Sequence, residues 1–572
     1  MSVSLYGNYT RKLFQVWCER AESANKLSYQ AVPFTFHAID IFPTSSQVHE
    51  MLQCASECSN RQNGEYLTFG EFCVFASELK SCYDKRIPRP IPLSKCPKDR
   101  QRLHSRRRSS LPMQKPSKYE VFLGGSCNPT TWRTDIAIPM LKKIGITYYN
   151  PQVAHWGPEL MEMENQAKQN AEIMFFVIDN QTRSVASMIE AAHIAGTDRK
   201  LILVIHEFEG NEIKVMGERL TEKELKDLKQ GQRFLQDLVE RKGIPVFRNI
   251  PNALTCAARL IREKIYPQDL NVNDIANPIK MPYVHLGDKL MKLREVFDDL
   301  DSANLGEISL EDVCMAYKIL TCQELTMSTL KSKVAHQNNS LINHFEMDKI
   351  NPQDIKVNFD QFCCIMMEFR SQMDNGPKML EDVASKASDI FCSLLQPMVK
   401  LVDWILPRHN SETDDFSDNY QFAASCRDIY LGGSGFPSTW REKVAIPLLK
   451  KHGLTYFSPQ EEPWNKRLIP LEAAAMENSR ILLFVITKDT RSLAQMTIAG
   501  HYVGFGCQMV LCIQYLEDNV EINGEKLSNQ AVKDYNRGRV YLSDLANRAG
   551  IPVFEDLEEA VNCAAQKCLS SS

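Results

Sequence analysis

The chain has 572 residues, with 67 Lys and Arg against 71 Asp and Glu, and its net charge of −4 argues against nucleic acid as a partner of the whole surface. Hydrophobic residues at 44% and charged residues at 24% fit a globular protein and exclude a fibrous or wholly disordered one. At about 150 residues per domain, the length predicts about four domains.

The first residues, "MSVSLYGNYTRKLFQVWCER", have no apolar h-region and no small-residue cleavage site, so no secretory signal is expected. Residues 1–84 read as paired helices around polar loops, through "LFQVWCERAESANKLSYQAVPFTFHAI" and "GEYLTFGEFCVF". Residues 285–375 follow the same plan, through "LREVFDDLDSANLGEISLEDVCMAYKIL" and "IKVNFDQFCCIM". Both segments resemble EF-hand pairs. A calcium loop needs oxygen ligands at positions 1, 3, 5 and 12 and Gly at position 6. "DSANLGEISLED" offers Asp301, Ala303, Leu305 and Asp312 with Gly306, and "NRQNGEYLTFGE" keeps Asn60, Gln62 and Glu71 without any Asp. The loops therefore read as degenerate, used for packing, and no metal site is expected. A calcium-responsive sensor stands as an alternative.

Between Lys85 and Lys118 the chain is basic and Pro-rich, with Asp99 its single acid, which predicts an extended tether. Within "RRRSS", Ser109 and Ser110 are candidate phosphorylation sites, since upstream arginines suit acidic kinase grooves. Residues 376–425 hold "ASDIFCSLLQPMVKLVDWILP", which Pro397, Lys400 and Asp403 interrupt. An amphipathic helix and linker are expected there rather than a membrane span.

Residues 119–265 alternate short apolar runs with helical stretches: "YEVFLGG", "WRTDIAIPMLKKIG", "IMFFVID", "SVASMIEAAHIAG", "KLILVIHEF" and "GIPVF". The pattern recurs at 426–568, where "GGSGFPSTWREKVAIPLLKKHGLTYFSPQ" repeats "GGSCNPTTWRTDIAIPMLKKIGITYYNPQ" and Trp464 answers Trp156 at a distance of 308 residues. Continuous apolar runs mark parallel strands covered on both faces. The expected fold is α/β plus α: two doubly wound, Rossmann-like parallel-sheet domains, each preceded by an EF-hand-like helical pair. The repeated Trp132 and Trp440 read as core residues, and Pro, Thr and Ser before them as helix-start chemistry. The 18 cysteines are scattered without paired C-x-x-C motifs, which points to free thiols in a reducing compartment and a cytoplasmic protein.

With "VFLGGS" closing a first strand and "FVIDNQTRSVASMIEAAHIAG" following, each α/β copy resembles nucleoside 2-deoxyribosyltransferase-like domains, and is most similar to the divergent branch in animal Raw-type proteins. The resemblance implies N-glycosidic bond chemistry: a helix carboxylate attacks the anomeric carbon and forms a covalent sugar intermediate. The matching residue is Glu190, placed near the start of its helix, where the helix dipole is expected to lower its pKa. Glu164 and Glu472 fall near the family's sugar-contacting acid. The family's orienting tyrosine is Phe122 in copy one, and its aspartate six residues before the nucleophile is Ser184. Copy two has Tyr430 at the first position but Ile498 in place of the nucleophile.

Gly124, Gly125 and Ser126 recur as Gly432, Gly433 and Ser434, and Thr182, Arg183 and Ser184 as Thr490, Arg491 and Ser492. Glycines after a strand let a ligand approach the backbone, and an arginine opposite can pair with a phosphate. These twelve residues are the candidate nucleotide- or nucleoside-binding set. Alternatively, the glycines make a tight turn, Thr and Ser cap a helix, and the arginine pairs with a carboxylate of the protein. The leading expectation is an intracellular signalling or scaffold protein with impaired transferase-like domains that bind a nucleotide-like ligand or protein partners and need no cofactor. An N-glycosyl hydrolase or deoxyribosyltransferase working through Glu190, with copy two completing its site, is the alternative.

Overall fold

The computed structural model describes residues 7–21, 26–61, 66–84, 119–153, 159–208, 213–279, 286–301, 304–321, 323–330, 355–369, 427–459 and 468–570. The basic tether with Ser109 and Ser110, the 376–425 segment, Gln62, Ala303, Trp156 and Trp464 lie outside them. The chain forms two compact units, an α/β unit of residues 88–280 with 418–572 and a helical unit of residues 1–87 with 281–417.

In the α/β unit each copy folds a five-stranded sheet. The order in copy one is Tyr148–Tyr149, Tyr119–Gly125, Ala171–Ile178, Lys200–Ile205 and Val246–Phe247, every pair parallel. Copy two repeats it with Tyr456–Phe457, Arg427–Gly433, Ser479–Ile486, Met509–Ile513 and Val553–Phe554. Counted along each copy this is the order 2-1-3-4-5 of a doubly wound sheet, whose ligands lie beyond the carboxyl ends of the strands. Because both faces are covered, strands such as "IMFFVI" are apolar at every position. Alternate residues Val121, Leu123, Ile173, Phe175 and Val177 join the helix Ile250–Glu263 in one core, with Trp132 against it.

The expected helix after the first strand opens as a wide π-turn at Arg133–Ala137 before the α-helix Ile138–Ile144, and copy two does the same at Arg441–Ala445. Pro139 and Pro447 follow each wide turn and donate no N–H to the preceding turn, so an ordinary α-helical bond is missing there. Gly145 stops the helix in the left-handed conformation, as its sequence position predicts.

Gly196 is the last residue of its helix, as its place in "IEAAHIAG" predicts, and it also meets the other copy. It is a residue of the helix Val185–Gly196, as Gly504 is of the helix Leu493–Phe505, and these two site helices pack on each other. A Cβ at Gly196 would fall 2.2 Å from the carbonyl of His501, and one at Gly504 would fall 2.1 Å from the carbonyl of His193. The two backbones therefore meet where side chains are absent. Two further helices, Glu222–Arg241 and Asn529–Arg548, cross them at Gly231, whose Cβ would meet Leu493, and at Gly538, whose Cβ would meet Val185.

In the helical unit the first four helices run Asn8–Arg20, Ala31–His37, Ser45–Cys58 and Phe69–Asp84, and the later ones Asp288–Leu300, Leu310–Thr321 and Phe359–Glu368. Short antiparallel strands join the loops, Leu27–Ser28 with Tyr66–Leu67 and Glu307–Ser309 with Lys356–Asn358. The two pairs share one core, with Trp17, Phe36 and Phe72 from the first and Phe297, Phe362 and Met366 from the second. Each pair also caps the other. The Glu368 carboxylate accepts from Tyr9 N at 3.2 Å and Thr10 N at 2.7 Å, and in return Glu50 accepts from Leu286 N and Glu78 from Gly287 N. Orphan N–H groups at two helix starts thus meet carboxylates from the opposite pair. Among the described residues no helix is long and apolar enough to cross a membrane.

Replacing Gly196 or Gly504 by Ala forces a backbone separation, and overpacking of this kind costs about 3 kcal/mol. Chemical denaturation of either variant should show that loss in the α/β unit; a midpoint equal to wild type would contradict the close crossing.

Candidate functional site

The glycine turns come first. Gly125 and Gly433 end their strands at φ +101° and +115°, and a Cβ on either would fall within 2.1 Å of a carbonyl oxygen on the neighbouring strand, so only glycine fits. The repeated Trp-Arg holds the turn from behind. Trp132 Nε1 donates to Ser126 O at 3.2 Å, and the buried Arg133 donates to the carbonyls of Leu123, Gly125 and Ser126. In copy two Trp440 donates to Ser434 O, and Arg441 to Leu431 O and Gly433 O. Trp132 and Trp440 are buried as expected, and the arginine beside each is a brace that the sequence reading did not assign.

Ser126, Thr182 and Ser184 come together as a hydroxyl knot. Ser126 Oγ lies 2.5 Å from Ser184 Oγ and accepts from Asp179 N, while Thr182 Oγ1 lies 2.8 Å from Ser184 Oγ. Ser434, Thr490 and Ser492 form the same knot in copy two. Helix capping by these side chains is not observed: Ser184 and Ser492 precede their helices in the left-handed conformation and make no side-chain cap bond. The knot instead ties the glycine turn to the start of the site helix.

Arg183 takes the protein-carboxylate alternative. Its Nε donates to Glu224 at 2.7 Å, its Nη2 to Glu218 at 2.9 Å and its Nη1 to Asp534 of copy two at 3.3 Å. Arg491 reciprocates across the copies, pairing with Asp227 at 3.0 Å and with its own Glu525 at 2.7 Å.

Glu190 lies in the second turn of its helix, 9% exposed, on the wall of a cavity of about 180 Å³. The lowered pKa expected from the helix start is not found; burial pushes its carboxyl up, opposed by Lys168. Desolvation outweighs the dipole because Glu190 has left the first turn. Lys168 forms ion pairs with Glu190 and, at 2.9 Å, with Glu164. Burial works against the Lys168 charge, but Glu190 and Glu164 together hold its pKa above the ordinary value. The cavity thus brings together Gly124, Gly125, Ser126, Glu164, Thr182, Arg183, Ser184 and Glu190.

Copy two completes the same cavity with Gln530, Asp534, Arg537 and Tyr541, all from the crossing helix Asn529–Arg548. Burial, then Glu190 and Glu164, pushes the Tyr541 phenol up to about 12. Tyr430 does not enter this cavity. It lines copy two's own, of about 360 Å³, with Glu472, Arg491, Ile498 and, from copy one's crossing helix, Asp227 and Phe234. Of copy two's ligand set, Gly433, Thr490, Arg491 and Ser492 line that cavity, Ser434 is buried in the knot, and Gly432 pairs with Phe484 in the sheet. Phe122 stacks on Tyr149, and Tyr430 stacks on Phe457, so the two copies carry the hydroxyl on opposite members of one ring pair.

Lys168 escaped the sequence reading, though the repeat contains its signal. At the matching positions of copy two the lysine is Met476 and Glu190 is Ile498, so the charged pair is lost as a unit. Tyr541, Arg537 and Asp534 were not legible, because the sequence does not say which copy's helix covers which cavity.

The loops of the helical unit use their acids internally. Asp301 accepts from Leu305 N and Gly306 N, and Asp312 from the Ser309 backbone N–H and hydroxyl. Glu71, at the position that would chelate calcium, is 1% exposed and pairs with Arg61 at 2.6 Å. Among the described residues no group of three His, Cys, Asp or Glu could hold a metal ion.

Two outcomes are expected. Lys168→Met leaves Glu190 buried and unpaired and should cost about 3 kcal/mol, most of it recovered in Lys168→Met/Glu190→Ile, which installs copy two's apolar pair; additive losses in urea denaturation would refute the coupling. Burial pushes Glu472 up to about 7 from an ordinary 4.5, so the folded state binds its proton more tightly and stability is lost as pH rises from 4.5 through 7. Its surface opens partly onto the cavity, which holds the effect to about 1–2 kcal/mol. Glu472→Gln should therefore match wild type near pH 4.5 and exceed it by that amount at pH 8; the variant–wild-type difference removes the parallel contribution of Glu78, also raised to about 7.

Residues 118–208 and 426–516 each match the family model described as nucleoside 2-deoxyribosyltransferase like. The crossing helices that supply Asp227, Asp534, Arg537 and Tyr541 lie outside both matched segments. No curated protein and no solved structure matches the chain. The chain carries two nucleoside 2-deoxyribosyltransferase-like domains, each a parallel five-stranded sheet.

Proposed function

We propose that the protein is an intracellular regulatory scaffold whose paired transferase-like domains bind a nucleotide-like ligand or protein partners without cleaving glycosidic bonds. One observation carries this reading: Lys168 sits on Glu190, the only carboxylate at a nucleophile position in either copy, while copy two has Met476 and Ile498 there. A carboxylate held in an ion pair must give up that contact to attack an anomeric carbon, and Phe122, whose ring centre lies 5.3 Å from Lys168 Nζ, has no hydroxyl to orient it. The resemblance to the Raw-type branch supports a regulatory role. Buried cysteines such as Cys73, Cys363 and Cys512 are thiols rather than disulfides, which supports a cytoplasmic setting. Calcium sensing is disfavoured by the Arg61 cation beside Glu71.

A specific observation favours the enzymatic alternative. Tyr541 and Arg537 of copy two close the Glu190 cavity, as a second subunit would complete a shared site. In that reading Glu190 attacks the anomeric carbon, the base leaves and takes up a proton, and water or a second base resolves the sugar ester. Incubation with deoxynucleosides and deoxynucleotides, read as free base released, separates the two. The scaffold reading expects no release above buffer from wild type or from Glu190→Gln. Release by wild type that disappears in Glu190→Gln would establish the enzyme instead.

A further inference from the structure

The two cavities differ in charge. The copy-one cavity sets Arg183 and Arg537, with Lys168 paired to two of its acids, against Glu164, Glu190 and Asp534, three cations to three carboxylates. The copy-two cavity sets Lys223, Lys226, Arg441 and Arg491 against Asp227 and Glu472, four cations to two carboxylates. Lys223 and Lys226 come from copy one's crossing helix, and both are exposed; Lys223 Nζ donates to Asn523 O at 2.7 Å. Burial raises the Glu472 carboxyl, which reduces its repulsion of an anion near neutral pH.

A second difference concerns the paired arginines. Arg183 is saturated, its Nε on Glu224. Copy two has Ala531 where copy one has Glu224, and Arg491, 4% exposed, keeps two carboxylates while its Nε is buried with no hydrogen-bond partner. A buried guanidinium donor without an acceptor is uncommon and costly, and an anion that reaches it is favoured. The remaining wall is aromatic and apolar, with Tyr430, Phe484, Phe234 and Ile498, and Phe436 at 72% exposure is also among the lining residues. At about 360 Å³ the cavity has twice the volume of its counterpart and falls within the range of small-ligand sites.

We infer that the copy-two cavity binds a nucleoside monophosphate, its phosphate drawn to Lys223, Lys226 and Arg491 and its base held against the aromatic wall, and keeps it uncleaved. The inference deepens the ligand-binding reading above and rests on it. Ile498 at the nucleophile position supplies no group to attack the sugar, so the nucleotide acts there as an effector. Its phosphate engages lysines of copy one and an arginine of copy two, so it bridges the two domains.

The test is calorimetric titration of the full chain with adenosine 5′-monophosphate, adenosine and ribose 5-phosphate. The monophosphate is expected to bind at least tenfold more tightly than adenosine or ribose 5-phosphate. Lys223→Gln/Lys226→Gln, which alters exposed side chains only, should weaken the monophosphate about tenfold and leave adenosine unchanged. In Glu190→Gln the monophosphate should bind as in wild type. Equal affinity for nucleotide and nucleoside, equal affinity for ribose 5-phosphate, or a loss confined to Glu190→Gln would each overturn the assignment. Base release at copy one would refute the scaffold reading but leave this titration, repeated in Glu190→Gln, to decide the copy-two site by itself.

Discussion

The α/β unit depends on the contact between two helix backbones at Gly196 and Gly504. Where each glycine meets the other helix's carbonyl, the site helices approach more closely than side chains allow. That approach brings the crossing helices over the neighbouring copy, Gly231 against Leu493 and Gly538 against Val185. Asp534 then reaches Arg183, Asp227 reaches Arg491, Tyr541 reaches the Glu190 cavity, and Phe234 reaches the Tyr430 cavity. A single chain thereby builds the exchange of walls expected of a symmetric dimer, in which the same patch serves both partners.

Fusing two copies removes the requirement that they stay identical. In a homodimer, a change from Glu to Ile on the site helix alters both cavities at once. Here copy two carries Met476 and Ile498 where copy one carries the Lys168–Glu190 ion pair. The same freedom left Arg183 with three carboxylates and Arg491 with two. The framework is the same in both copies, because Gly125 and Gly433 permit no Cβ and Arg133 and Arg441 brace the backbone carbonyls of the glycine turns. Chemistry diverged where side chains face a cavity, and geometry persisted where they face the backbone.

Much of this was legible in the sequence. Apolar runs, glycine turns and the repeat predict two parallel sheets, and the buried Trp132 and Trp440 follow from the same pattern. What was not legible shares one cause, which is that pattern reports local structure and not what approaches from elsewhere. Gly196 ends its helix as the pattern says, but the pattern does not show that the 501–505 backbone of the other site helix lies against it. The sequence left Arg183 open to a phosphate or to a carboxylate of the protein, and it does not show that Glu218, Glu224 and Asp534 gather around it. Glu190 seems poised at a helix start, and burial with Lys168 decides its state instead.

The helical unit follows the same logic at its helix starts. An EF-hand ordinarily directs its loop acids at a cation, which neutralises them and sets the angle between helices. Here Asp301 and Asp312 turn to loop backbone N–H groups, and Glu71 turns to Arg61. At Glu71 the carboxylate charge is balanced by a guanidinium of the same chain. The carboxylates that reach between pairs, Glu368 to Thr10 and Glu78 to Gly287, then hold the pairs as one core. Removing any one of these carboxylates leaves backbone donors of the opposite pair without their acceptor, so the two pairs depend on each other for the satisfaction of their helix starts.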